Sequence, residues 1–377
     1  MIPIIYPRST TKANLLARVN SLGYGTVSEA SSCVVTEERN GGFTLNMKVP
    51  ETAVYLDQLN IGTLLCADAS PKQKRQFFEI AKVTKNLKGQ YSIYAEHISY
   101  RLIYSILKPF SVAGLNNVFT RFSDNHNTSY YDEGNDFTFT WSGWQSAAAT
   151  CSCTEHQSVK TTLLGSSGSV LDTYGGCYKW DNFTVTLYYE RGSDNGVKIL
   201  YGKNLTDITA EYSNENESSC SGVLPVYKGN DKVLFGSIKT PQNDSTVRDL
   251  YTYKRTIVKD FTSDITVGEN DTDAQIIEKI NNKAQAWINK DNKGYPTVNL
   301  KTSFVLLSDT LEYADRVNLE SVEIDDTVHV YVPTLDVDVK AKVIKTNYNV
   351  LLDRYDSVEV GNFRTSINQA IRAVKGG

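Results

Sequence analysis

Glu96-His97 sets an acid beside a base at the point where one structural pattern gives way to another. Ser92, Tyr94 and Glu96 alternate with Ile93 and Ala95, the period of a half-buried strand, and Ile98, Leu102 and Ile106 then recur at the spacing of a helix face. Such a pair suits general acid–base work only if both groups reach one substrate. Successive strand residues point to opposite faces, so the reading is a structural corner, with His97 bonded to backbone or to Tyr100. In "CSCTEH", Cys151, Cys153 and His156 have the donor types of a zinc site or a Cys–His nucleophile. C-x-C is not the C-x2-C knuckle of a structural zinc, no second knuckle follows, and Glu155 is the only group near enough in sequence to orient the histidine. The expectation is a polar loop with incidental thiols.

The remaining signals for chemistry are thinner. His126 and His329 complete the four histidines, and His329, between Val328 and Val330, belongs to a strand whose other face meets solvent or a neighbouring subunit. There is no H-E-x-x-H, "GSSGS" lacks the spacing of a nucleophile elbow, and no P-loop can be assembled. The sequence therefore assigns no catalytic, cofactor-binding or metal-binding residue, and the chain is read as a non-enzyme. Trp141, Trp144, Tyr174, Tyr178 and Trp180 crowd a polar region, where exposed aromatics would stack on sugars or serve a subunit interface.

These residues need elements to hold them. At 377 residues, 40% hydrophobic and 22% charged, the chain has material for two to four domains. A formal charge of −4 supplies no global basic field for nucleic acid. No apolar run reaches the ~18 residues of a membrane span, and "MIPIIYPRSTTK" is too short and too early broken for a signal peptide, so assembly in a cytoplasm is expected. There the six cysteines stay reduced; Cys33 and Cys66 lie in apolar strands, while Cys151, Cys153, Cys177 and Cys220 fall in a polar, glycine-rich middle.

The fold class read from these patterns is mainly β with inserted α+β domains. Asn40-Gly41-Gly42 separates two alternating runs as a hairpin turn would. Leu115, Val118, Phe119 and Phe122 make a short amphipathic helix, "SVKTTLLGSSG" another, and "NDTDAQIIEKINNKAQAWINKDNKG" a longer one with Ile277, Ile280, Ala284 and Trp287 on its apolar face and Asp271 or Thr272 as its cap. "IGTLLCA", "FFEIAKVTKN" and "YSIYAEH" are echoed in order by "IDDTVHVY", "VKAKVIKTN" and "DSVEVGN". The echo predicts two related small β-barrels. Domain limits follow: 1–107 the first barrel, 108–195 an α+β middle domain, 196–245 with 296–365 the second barrel, and 246–295 a helical insertion. Residues 366–377 form a terminal helix with Ile367, Ala370, Ile371 and Val374 on one stripe, either starting a stem or folding back on the barrel.

The run "LLGSSGSVLDTYGGCYKWDNFTVTLYYERGSDNGVKILYGKNLTDI", residues 163–208, resembles the signature of siphophage and prophage tail-hub proteins, also called tail-associated lysins, minor structural proteins or endopeptidase tail proteins. "YAEHISYRL", "VRDLYTYKR" and "YDSVEVGNF" are similar to further blocks of that family in the same order. One position departs: Cys177 follows Gly175-Gly176 where family members often carry an acid. The resemblance implies a fold like the baseplate hub of contractile-tailed phages, in which three chains, each with two related barrels, form a ring of pseudo-sixfold symmetry. It implies a virion part at the tail tip that closes the tail tube, docks the distal tail protein and opens for DNA ejection. Contacts with a tape measure protein and with a C-terminal fibre or hydrolase module belong to the same expectation. The alternatives are a hub carrying a wall-cleaving endopeptidase and a carbohydrate-binding β protein.

Overall fold

The computed structural model describes residues 1–8, 12–13, 15, 21–124, 136–144, 147–165, 168–200, 205–213, 220–229, 232–242, 253–268, 270–289, 297–304, 322–333 and 337–361. The terminal helix expected over 366–377, His126 and most of "VRDLYTYKR" lie outside the described residues. Contact density divides the chain into two compact units. One is Met1–Asp207 with Thr302–His329 and Lys342–Val360; the other is formed mainly by Ile208–Lys301 and Val330–Ala341.

In the first hundred residues, β-branched and aromatic residues alternating with polar ones give β1 (Ile4–Tyr6), β2 (Gly25–Thr26), β3 (Ser32–Glu38), β4 (Phe43–Pro50), β5 (Leu64–Ala67), β6 (Gln76–Lys85) and β7 (Gln90–His97). Alternation is strict in β3, where Cys33, Val35 and Glu37 are buried, and in β4, where Phe43, Leu45, Met47 and Val49 are. The β3–β4 turn forms where expected, but Asn40 rather than a glycine takes the left-handed conformation, at φ 54°. Asparagine tolerates that region because its short side chain finds local bonds. The strands hydrogen-bond in the order β3-β4-β7-β6-β5-β1-β2.

After β7 the structure differs from the reading. Ile98–Ile103 is a single 3-10 segment, Ile98 and Leu102 are buried, and Ile106 leaves the helical face for a short strand. Pro109 lies too near for an α-helix to gain the length that would stabilise it. The middle region holds β8 (Ile106–Leu107), β9 (Phe110–Ala113), α1 (Leu115–Asp124), β10 (Thr138–Ser142), β11 (Thr150–Cys153), β12 (Gln157–Ser158), α2 (Val159–Leu164), α3 (Val170–Tyr174), β13 (Cys177–Asp181) and β14 (Thr184–Tyr188). Phe119 and Phe122 of α1 meet Phe139 at ring-centre distances of 6.1 and 5.2 Å, so the expected apolar stripe does form a core.

β15 (Asp194–Leu200) and β16 (Leu205–Ser213) follow, then a three-stranded sheet of β17 (Gly222–Lys228), β18 (Val233–Phe235) and β19 (Thr256–Asp260). Helix α4 (Asp273–Ile288) packs on that sheet, starting in a capping box between Thr272 and Gln275. Its buried row is Ile276, Ile280, Ala284 and Ile288: Ile280 and Ala284 lie on the face as expected, while Ile276 and Ile288 take the places expected of Ile277 and Trp287, which are half-buried flanks. A strict i, i+4 row lies flat on a sheet, and the sequence left both rows apolar.

β20 (Thr297–Phe304), β21 (Thr327–Val332), β22 (Val337–Asn349) and β23 (Arg354–Gly361) complete the chain. With β15 and β16 they run β16-β20-β23-β22-β21-β15, the same connectivity as β3-β4-β7-β6-β5-β1. The match extends to single bonds. Gly62 N donates to Ile80 O at 2.8 Å and Ile80 N to Thr63 O at 2.9 Å; Asp325 N donates to Val343 O at 2.8 Å and Val343 N to Asp326 O at 2.9 Å. Ile80 therefore corresponds to Val343, so the two "AKV" runs that reveal the echo by eye stand three residues out of register. Alternation slips after Ile80, where a bulge precedes Lys82, and after Val343, where Thr346 is the next buried side chain. Among the described residues no pairing closes either set of strands into a barrel. The two sets are joined edge to edge, β22 to β3, antiparallel from Lys345 opposite Glu38 to Asn349 opposite Val34.

Candidate functional site

The end of β3 and the turn after it bring Glu37, Glu38 and Arg39 to the place where β22 meets β3, and buried charge collects there among the described residues. Arg191 Nη1 donates to Glu37 Oε1 at 2.7 Å and to Tyr178 O at 2.9 Å. Both charged side chains are only 4% exposed. Burial pulls the Arg191 pKa down and the Glu37 carboxylate more than reverses it. Asp325 accepts from Arg39 Nε at 2.7 Å and from Arg191 N at 3.1 Å, with Lys342 Nζ at 3.4 Å. Asp326 accepts from Ser193 N and Glu323 N, both at 2.8 Å, while burial raises its pKa. Asn40 adds two bonds to the middle region, to Gly176 O and from Tyr178 N. Three segments distant in sequence, 37–40, 176–193 and 323–342, are thus tied through paired charges. Glu37 pairs with Arg191 and Asp325 with Arg39 and Lys342, Asp326 is held by backbone N–H groups, and Arg191 Nε and Nη2 are buried without a bond partner among the described residues; the pairing across three segments makes the cluster a structural joint.

At the opening corner, His97 is fully buried and stacks on Phe43 at 4.3 Å. Its Nδ1 accepts from Ser99 N at 3.3 Å and its Nε2 pairs with Gln76 Oε1 at 3.3 Å. The backbone bond is the one expected; Tyr100 instead accepts from Phe43 N through its hydroxyl. Glu96 is half-buried beside a cleft of about 580 Å³ lined also by Arg8, Glu79, Tyr100, Arg101 and Tyr104, and the strand at His97 borders the same cleft while its ring packs inward on Phe43 and Phe78. The acid and the base therefore serve opposite sides of one strand. Gln76 had no sequence signal as a partner, because it lies on a different strand.

Cys151 and Cys153 both point inward from β11, their thiols donating to Gly168 O and Glu155 O, while His156 is exposed. Burial pushes the Cys151 thiol up to about 11 and raises Cys153. A nucleophile or metal ligand needs the opposite shift. Among the described residues no group of three potential ligands gathers. His329 is half-buried in β21.

The expected cluster of five exposed aromatics needs correcting. Tyr178 and Trp180 are each 1% exposed and stack on one another at 5.3 Å. Lys160 Nζ stands 3.6 Å from the Trp180 ring centre and 5.0 Å from that of Tyr100. Trp141, Trp144 and Tyr174 are half-buried, Trp141 Nε1 donating to Asn116 Oδ1 and Tyr174 Oη to Ala149 O. The polar composition of the loops around them disguised a hairpin, β13–β14, one face of which, Tyr178, Trp180, Val185 and Leu187, is buried.

No family model matches the sequence, and no curated protein matches it. Solved structures do. Prophage tail protein gp18 from Listeria monocytogenes EGD-e superposes with a TM-score of 0.56 at 14% identity, over 93% of this chain and 96% of that one. The 43 kDa tail protein of prophage MuSo2 from Shewanella oneidensis gives 0.59 at 10% identity, over 90% and 95%. A tail protein from Neisseria meningitidis MC58 gives 0.55 at 10%, over 92% and 95%. The chain has the mainly β fold of these prophage tail proteins along nearly its whole length.

Proposed function

We propose that this protein is the structural hub at the tail tip of a phage or prophage. In this reading three chains form a ring through two related barrel-like halves, close the tail tube, dock the distal tail protein and open for DNA ejection. A tape measure protein inside the tube and a fibre or hydrolase module beyond the chain are the further partners. Assembly takes place in the host cytoplasm.

The observation that carries this reading is the repeat. Two halves with one strand order and one turn geometry, joined edge to edge, give each chain two similar faces. Two such faces let a small number of chains present twice that number of equivalent positions to the tube above. The likeness in fold to prophage tail proteins supports the same setting. A net charge of −4 suits a conduit that must not hold its DNA. Negative-stain images of the purified protein, viewed end-on, test it: rings with six similar lobes around a central hole are expected, and solid or two-lobed particles would reject it. Zymography on bacterial cell walls addresses a hidden endopeptidase; no clearing is expected, since both thiols near His156 are buried.

A further inference from the structure

The junction between β22 and β3 uses two edges. One is the second half of β22, beyond the segment that belongs to its own set of strands; the other is the side of β3 away from β4. The repeat supplies a second copy of each edge. β6 corresponds to β22, and beyond Ile80 no described strand pairs with it on the side away from β7. β16 corresponds to β3, ends the strand order, and has no described strand on its side away from β20. The two edges that meet within the chain are thus the two that, among the described residues, have no strand partner in their counterparts.

We infer that a second copy of this chain seats its Leu205–Ser213 strand on the open edge of β6, repeating between subunits the β22–β3 pairing made within one. The inference rests on the hub reading and names the surface through which the ring closes. Placing Ile80 on Val343 places Lys82, Val83, Thr84, Lys85 and Asn86 on Lys345 to Asn349. Within the chain Lys345 bonds Glu38 at 2.8 Å, and that contact, first among the causes, lowers the Glu38 pKa. Lys82, its counterpart, is exposed and makes no ion pair among the described residues. The strand sequences agree: Val35-Thr36-Glu37-Glu38 in β3 is matched by Ile208-Thr209-Ala210-Glu211 in β16. Lys82 would thereby stand opposite Glu211, and Thr84 opposite Thr209, as Asn347 stands opposite Thr36.

The surroundings of the edge also call for a cover. Val83 and Tyr91 floor a groove walled by Val54 and Ile61, which are 71% and 64% exposed. Unpaired strand edges invite association, and the usual protection here is slight, a bulge and two lysines. A lysine opposite a carboxylate favours one partner while repelling a second copy of the same edge, which selects head-to-tail pairing over a two-fold dimer. Head-to-tail contacts repeat around an axis, as a ring requires.

Directly opposed residues on antiparallel strands lie within disulfide reach. The test is the double variant Thr84→Cys with Thr209→Cys, oxidised with glutathione and run without reductant. Both positions are exposed, whereas all six native cysteines are buried. The expected result is disulfide-linked multimers that end at the ring size measured in solution, and none from either single variant. Oligomers that form without this cross-link would overturn the edge pairing and leave the hub reading standing. A chain that stays monomeric at the highest attainable concentration would overturn both. Charge reversal gives a second readout: Lys82→Glu is expected to weaken assembly at least about tenfold, and adding Glu211→Lys to recover it. Loss in the single variant with no recovery in the pair would count against the register.

Discussion

Arg191 and Glu37 form an ion pair of 2.7 Å between residues 154 positions apart, with both side chains almost sealed from water. A pair of this kind contributes little net stability while intact, because desolvation offsets attraction. Removing one partner is another matter. Arg191→Met should lower unfolding free energy by about 3–5 kcal/mol, since Glu37 would be left buried without a counter-charge. Combining it with Glu37→Leu should recover most of that loss in urea denaturation. Equal loss in the single and double variants would mean that the pair is not the source.

His97 gives the protein an acid sensitivity. Burial drives its imidazole pKa well below the usual value, with the Lys160 charge adding to the effect. The unfolded chain binds a proton near pH 6.5 that the folded chain refuses, so the folded state is favoured above that pH and loses ground as pH falls below it. The slope from this group approaches ~1.4 kcal/mol per pH unit until the folded pKa is reached. His97→Gln should be less stable at pH 7.5 yet lose less on going to pH 5, read from urea midpoints at the two values. Parallel pH profiles would show that another group carries the slope.

The thiols should be inert in the native state. Burial pushes Cys66 up to about 12 and Cys151 and Cys177 up to about 11. At pH 8 the folded protein should label only at the rate at which it opens, and the unfolded chain at six positions. Cys151→Ser with Cys153→Ser should fold and leave zinc content at background. Stoichiometric zinc in the purified protein would restore the metal reading of "CSCTEH".

Gly62 stands where Asp325 stands in the other half, and both have positive φ, 84° and 73°. A Cβ at Gly62 would meet nothing nearer than 3.6 Å, so Gly62→Ala tests conformation alone. The expected loss is about 1–2 kcal/mol in thermal or urea unfolding. Asp325 occupies the same conformation because its carboxylate is held by Arg39, Arg191 N and Lys342. Asp325→Gly should therefore destabilise despite relieving the backbone. A stabilised Asp325→Gly protein would show that the backbone, not the charge cluster, dominates that turn.

By itself, the sequence determined what depends on neighbours along the chain. Alternation placed β3, β4 and β7, the Thr272 cap placed the start of α4, and turn residues placed the hairpins, because local geometry and propensity act over a few residues. The echo of strand order was also legible, since a repeated order survives in the letters even where register does not. Only the tertiary structure decided the register, which is set by bonds such as Ile80 N to Thr63 O, and the three-residue offset of the "AKV" runs follows from it. It also decided which face of α4 is buried, that Tyr178 and Trp180 are core, and that Gln76 is the partner of His97. The joint of Glu37, Arg191 and Asp325 lay beyond sequence reasoning for the same reason. Each of those charges looks like ordinary solvated surface until pairing brings its partner from more than a hundred residues away, and only then does burying it cost little.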